Sequence, residues 1–128
     1  MNEAENVIST YSRAQAIADG VLVDVSVVAK EAGFRYSVAM SAAAWSDCVA
    51  WREHLSNRGA GQSESGRLWD VLWMAKLAIK GANGDRVSFS VLRVPRQGGR
   101  AKAAVLNAVV GPGDQWEPVI TIMLPGED

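Results

Sequence analysis

The chain of 128 residues has one cysteine, Cys48, and one histidine, His54. A single cysteine leaves no internal disulfide and fits a reducing compartment. One of each is also too few for a zinc site, which draws on several Cys and His, and the scattered carboxylates lack EF-hand spacing. We expect no metal and no cofactor. Neither sign of charge is in excess. Thirteen basic and 14 acidic side chains give a net charge of −1, so no global field draws the protein to nucleic acid or to an anionic membrane. No apolar run approaches the ~18 residues of a membrane span. The N-terminal "MNEAENVISTYS" is polar and acidic without a basic-then-apolar pattern, so no signal peptide is expected. Phosphate-cradling glycine loops are missing as well. "GANGD" and "GPGD" neither lead into Lys-Ser/Thr at a helix start nor form G-x-G-x-x-G after a strand, and they read as turns. There is no internal repeat and no heptad array.

What is present is globular. Hydrophobic residues make up 48% and charged residues 21%, enough for one domain, 1–128, with a real core. Five tryptophans are many for this length, and burial of aromatics is expected to supply much of the stability. Residues 1–8 read as a loose leader. Ser9 or Thr10 is placed to cap a short helix through "YSRAQAIADG", closed by Gly20. "VLVDV" (21–25) reads as a strand, and Ser26 as the cap of "VVAKEAG", closed by Gly33. "FRYSVAM" is extended or irregular. Ser41 is placed to cap a longer helix, 41–57. The Gly/Ser-rich stretch 58–66 reads as a flexible loop, followed by a helix over 66–80. Strands follow at 86–94, 103–110 and 118–124, separated by "PRQGGRAK" and "GPGDQWE".

Three consecutive strands with short connections predict an antiparallel meander. The fold class is therefore α+β: a meander over about 86–124, with 21–25 as a possible added strand, packed against two or three helices. The last strand is apolar on both sides. It is either central or covered on both faces, in one arrangement by a second copy of the chain.

In "GRLWDVLWMAKLAIKG" (66–81), Leu68, Val71, Leu72, Ala75, Ala78 and Ile79 share one helical face. Trp69 and Trp73 sit beside it, on the side that also carries Lys76 and Lys80. A helix apolar on most sides is normally packed on most sides. The expectation is a central helix whose tryptophans meet Trp45, Val49 and Leu55 of the preceding helix. The competing readings are an exposed pair that grips a partner, or a ligand box.

Catalytic chemistry finds little support. Cys48 and His54 are six apart, about 240° around a shared helix, so a Cys–His dyad is not expected. Cys48 reads as a small buried residue and His54 as a polar-face residue near the helix end. No nucleophile-elbow motif occurs, although plentiful serines leave a Ser–His–Asp arrangement open. Asp24, between a strand and a capped helix, reads as a cap or an ion-pair partner. The basic stretch is more distinctive. Arg93, Arg96, Arg100 and Lys102 lie within ten residues, Arg86 is just upstream, and no acid occurs from 86 to 113. On a hairpin they would form a local positive finger for an acidic protein surface or for phosphate. Aromatic interleaving for single-stranded nucleic acid is missing, and charges that discourage edge pairing explain the same residues.

"NVISTYSRAQAIADGVLVDVS", "EAGFRYSVAMS", "SGRLWDVLWMA", "FSVLRVPR" and "GPGDQWEPVITIMLPGED" together resemble an uncharacterised family of small proteins carried on bacterial plasmids, integrative elements and phages. The resemblance spans nearly the whole chain and brings no catalytic or binding residues. It implies a cytoplasmic protein of a bacterial host, and proteins of such elements often inhibit host defences. The function expected is therefore non-enzymatic binding of a host protein complex, of anti-CRISPR or anti-restriction type. Arg93, Arg96, Arg100 and Lys102 are its candidate contact residues. The alternatives are a nucleic-acid-binding accessory protein and a small enzyme with an unrecognised site.

Overall fold

The computed structural model describes residues 11–54 and 57–127. Among the described residues, five helices and strands precede the long helix, in the order α1 (Arg13–Ala18), β1 (Leu22–Asp24), α2 (Ser26–Glu31), β2 (Ser37–Ser41) and α3 (Ala42–Cys48). Then come α4 (Glu64–Lys80), β3 (Arg86–Arg93), β4 (Lys102–Pro112) and β5 (Pro118–Met123). The strands form one sheet in the order β1-β2-β5-β4-β3. The meander stands as expected: β3 pairs antiparallel with β4, and β4 antiparallel with β5. The 21–25 segment joins the sheet at its far edge, through β2.

What the meander did not include is β2, which lies parallel to β5 with Val38 opposite Ile120 and Met40 opposite Ile122. That pairing makes β5 central, which resolves why it is apolar on both sides. It also explains why Val38, Ala39 and Met40 are buried in succession, since a strand inside a sheet covered on both faces does not alternate. Val38, Met40, Ile120, Ile122, Leu106 and Ala108 point to the face covered by α2, α3 and α4, and belong to the main core cluster. Ala39 and Val119 are buried outside that cluster, as is Ala16 of α1. Arg13 of α1 crosses to this side, donating to the Thr121 hydroxyl at 2.7 Å and to the Ile120 carbonyl at 2.7 Å.

Capping chemistry sets most element starts. Ser12 and Gln15 form a reciprocal capping box at α1, while the suggested caps Ser9 and Thr10, like the 1–8 leader, lie outside the described residues. Gly20, at φ 78°, closes that helix in the left-handed conformation. Ser26 does not cap α2. The helix begins at Ser26, whose N–H is taken by Asp24 at 3.0 Å, and the Ser26 hydroxyl bridges both main-chain groups of Val38. The Asp24 carboxylate thus takes the first amide of the helix, while the capping position, Val25, makes no side-chain bond. Ser41 caps α3 as expected, and Ser63 caps α4, which starts inside the stretch read as a loop.

Two expectations fail. The 41–57 helix stops at Cys48, and the buried Arg67 supplies the reason. Its Nε–H donates to the Val49 carbonyl at 3.0 Å, where the helix would need that group, and its Nη1 donates to Val94 O at 2.8 Å and Gln62 Oε1 at 3.0 Å. Asn57 holds the following turn by donating to Arg52 O at 2.9 Å. Leu55, the third expected contact of the tryptophans, lies outside the described residues. The second failure is aromatic burial. Leu68, Val71, Leu72 and Ala75 of α4 are buried as the wheel predicts, but none of the five tryptophans is: Trp45 and Trp51 are half-buried, and Trp69, Trp73 and Trp116 are exposed. A core built largely from Ala and Val brings helix and sheet too close to admit an indole between them.

Leu72→Ala should therefore lower stability by about 3 kcal/mol, while Trp73→Ala costs about 1 kcal/mol or less. Urea midpoints at unchanged m-value check the contrast. Equal losses would contradict the burial assigned to these neighbours. Arg67→Met fills similar space but removes the donor to the buried Val49 carbonyl and to the half-buried Val94 carbonyl, and should cost about 3 kcal/mol in the same measurement.

Candidate functional site

The exposed tryptophans are organised. Four residues apart, Trp69 and Trp73 lie one turn above the other on α4, and their rings stack with centroids 6.4 Å apart and planes 12° off parallel. They remain 40% and 44% exposed. Neighbouring charges hold the helix that carries them. Lys76 lies over the Trp73 ring at 5.4 Å and donates at 2.9 Å to the Ala32 carbonyl at the end of α2. Arg67 lies over Trp51 at 4.9 Å, and burial pulls its pKa below the usual guanidinium value.

The pair faces a groove of about 620 Å³ lined by Trp69, Asp70, Trp73 and Met74 on one side and by Ser90, Val91, Leu92 and Ala103 on the other. Its β wall is formed mainly by β3, with Ala103 from β4, and among the described residues β3 has a neighbouring strand on one side only. Met74 and Leu92 are themselves exposed. A contiguous apolar surface rimmed by polar groups is the usual mark of an interaction site.

The direction of the β3 main chain follows from one hydrogen bond. Val110 N–H donates to Asp85 O at 2.8 Å, at the position that continues the Arg86–Val109 register. Directly opposed residues that bond each other alternate along an antiparallel pair. Val87, Phe89, Val91 and Arg93 are therefore turned to β4, and Ser88, Ser90 and Leu92 present their N–H and C=O groups to the open edge beside the groove.

The basic residues gather at one end of this groove. Arg93 and Lys102 oppose each other across β3 and β4, next to the groove residues Leu92 and Ala103. Arg93 is drawn inward by Asp47 at 3.1 Å, which offsets the like-charge pairing. Arg96, Arg100 and Lys102 are exposed. The connecting loop is anchored at the Arg96 carbonyl, which accepts from Asn57 Nδ2 at 2.8 Å and stands 3.1 Å from His54 Nε2. The predicted site residues thus form one cluster, with Arg93 partly neutralised. The exposure of the tryptophan pair agrees with the competing reading of the sequence and not with the expected burial. The available signal was that Trp69 and Trp73 share their side of the helix with two lysines.

The sequence model of a family of unknown function (DUF6573) matches residues 1–128. The chain belongs to that family. No curated protein and no solved structure matches the chain. The resemblance read from the sequence, to an uncharacterised family, is correct at that level.

The other candidate groups of this DUF6573 member serve the fold. His54 lies beyond the end of α3, at the Arg96 carbonyl, and not on a helix shared with Cys48. Cys48 is buried in the main core. A polar hollow near α1 is lined by Arg13, Asp24, Asp114 and Glu117, and its charged groups hold main-chain atoms: Asp114 accepts from Arg13 N and Ala14 N at 2.8 and 3.1 Å. Among the described residues no group of three His, Cys, Asp or Glu could hold a metal, and no helix is long and apolar enough to cross a membrane.

Burial, reinforced by Asp47, pushes the Cys48 thiol from 9.0 to about 11. The native state keeps this proton over a range where the unfolded chain has released it, so the contribution to stability is complete below about pH 9 and is lost as pH rises towards 11. The decline is on the order of 2 kcal/mol. The difference in urea stability between wild type and Cys48→Ala should shrink over that range. A constant difference would contradict a buried neutral thiol.

Proposed function

We propose that this protein acts by non-covalent binding of another protein, with the groove between α4 and β3 as its working surface and the basic loop as its rim. The observation that carries this reading is the exposed, stacked Trp69–Trp73 pair beside a strand edge that no other described strand pairs with. Tryptophan and arginine are the residues that most often dominate binding energy, because each offers a large rigid contact. About 100 Å² of each indole stays uncovered, and removing it from water is worth about 2.5 kcal/mol per ring. The partner we favour is a bacterial host defence complex, met in the host cytoplasm. That step rests on the resemblance to small proteins of plasmids, integrative elements and phages, and it is associational.

The exposed Arg96, Arg100 and Lys102 support a second reading, contact with nucleic acid at the same rim. The two separate by salt and by residue. Phosphate contacts weaken steeply between low and moderate salt, whereas indole burial does not. The test is affinity capture from a nuclease-treated bacterial lysate followed by mass spectrometry. Wild type should retain a stoichiometric protein partner, and W69A/W73A should lose it. Retention by W69A/W73A with loss in R96E/R100E/K102E would overturn the groove as the main contact. Capture abolished by nuclease alone would favour the nucleic-acid reading.

A further inference from the structure

Resting on the groove reading, we propose that the ligand is an extended segment of the partner protein that adds to the sheet as a sixth strand against β3, with apolar residues at alternate positions and acidic residues at the end nearest Arg96. The edge groups of Ser88, Ser90 and Leu92 alternate donor and acceptor every second residue, a pattern matched by the main chain of another extended strand. Such a strand spans these residues in about 17 Å. It lies in the groove, and its alternate side chains turn towards the Trp69, Trp73 and Met74 wall. Main-chain bonds then supply affinity, and the indole wall selects apolar side chains at those positions.

Charge decides between a foreign strand and a second copy. β3 carries arginine at both ends, Arg86 and Arg93. In an antiparallel pair of β3 strands, outward-facing residues must oppose outward-facing residues. The two such registers with the fullest overlap set Ser90 opposite Ser90 of the other copy, or Ser88 opposite Ser90. The first register sets Arg86 of one copy opposite Val94 of the other, and the second sets it opposite Leu92. Both bring the Arg86 end of one copy beside the exposed basic rim of Arg96, Arg100 and Lys102 on the other. An acidic-ended strand from another protein meets the same rim with opposite charge.

The test uses the full chain and three synthetic peptides: EEVTVTV, the same peptide N-methylated at alternate residues, and KKVTVTV. Both N-methylation phases are made, so that one of them removes the donors facing β3. Tryptophan fluorescence and titration calorimetry read binding. EEVTVTV should bind. One of its N-methylated forms should bind roughly tenfold more weakly or worse, and KKVTVTV should be weaker at low salt and converge with EEVTVTV at high salt. Ser90→Pro removes an edge donor without touching the β4 ladder, a position where proline is tolerated, and should weaken binding to a similar degree. If that variant fails to fold by circular dichroism, the N-methylated peptides carry the comparison alone. Equal binding of parent and both N-methylated peptides would overturn strand addition, as would no binding of EEVTVTV. Either result leaves capture of a lysate protein through Trp69 and Trp73 standing, so the two readings fail separately. A concentration-dependent dimer in sedimentation, lost in Ser90→Pro, would overturn the foreign strand in favour of self-pairing.

Discussion

The orientation of α4 depends on one buried guanidinium. Arg67 sits in the first turn of that helix and donates to the carbonyls of Val49 and Val94, one just past α3 and one just past β3. A third bond reaches Gln62 in the approach to the helix. Three segments that are remote in sequence are thereby tied at a single side chain. Arginine suits the position because its planar fork carries several donors in fixed directions. Removing those carbonyls from water unbonded would cost more than the bonds themselves contribute. The helix therefore has one favourable approach to β3. That approach leaves Trp69 and Trp73 beside the strand edge instead of over the sheet.

A small-residue core is the other half of this arrangement. Ala29, Ala44, Ala75, Ala104 and Ala108 are buried where helix and sheet meet, and close backbone approach between packed layers needs such residues. The indoles are too large for that space and stay at the margin. Their cost to the isolated protein is hydration of apolar surface, about 5 kcal/mol for the two rings together. That sum alone falls short of the roughly 8 kcal/mol of a micromolar complex, before association costs are met. A groove that relied on the rings only would bind weakly. The edge amides and the basic rim are the other groups within reach to supply the remainder.

Much of this was legible in the chain. The Ser41 cap could be read locally, because capping is a local property, whereas the starts at Ser12 and Ser63 were placed elsewhere and Ser26 is the first residue of its helix, not its cap. The meander followed from its short turns. Strand β2 was only half legible: a strand covered on both faces loses its alternation, and a parallel partner about 80 residues away in sequence leaves no turn to announce it. The end of α3 was illegible for a different reason. Nothing between Ala42 and Asn57 breaks a helix, and the interruption comes from Arg67 reaching across the fold. The tryptophans were misjudged because apolarity around a helix ordinarily means burial. In this helix it means that one side faces the core and another faces an open edge.

The two edges of the sheet are managed unequally, and the inequality bears on function. β1 is three residues long and packs beside α1. A short covered edge offers little to pair with. β3 is eight residues long, with "SFSVL" uncharged through its middle and arginine only at its ends. Charges placed to prevent pairing would be most effective in the middle of the strand, where they would meet any incoming chain. At the ends they leave the central amides approachable and penalise only strands of like charge. The pattern therefore does less to block the edge than to discriminate among the strands that reach it. On the proposed reading, the basic hairpin and the tryptophan helix, which read separately in the sequence, are two sides of one recognition surface.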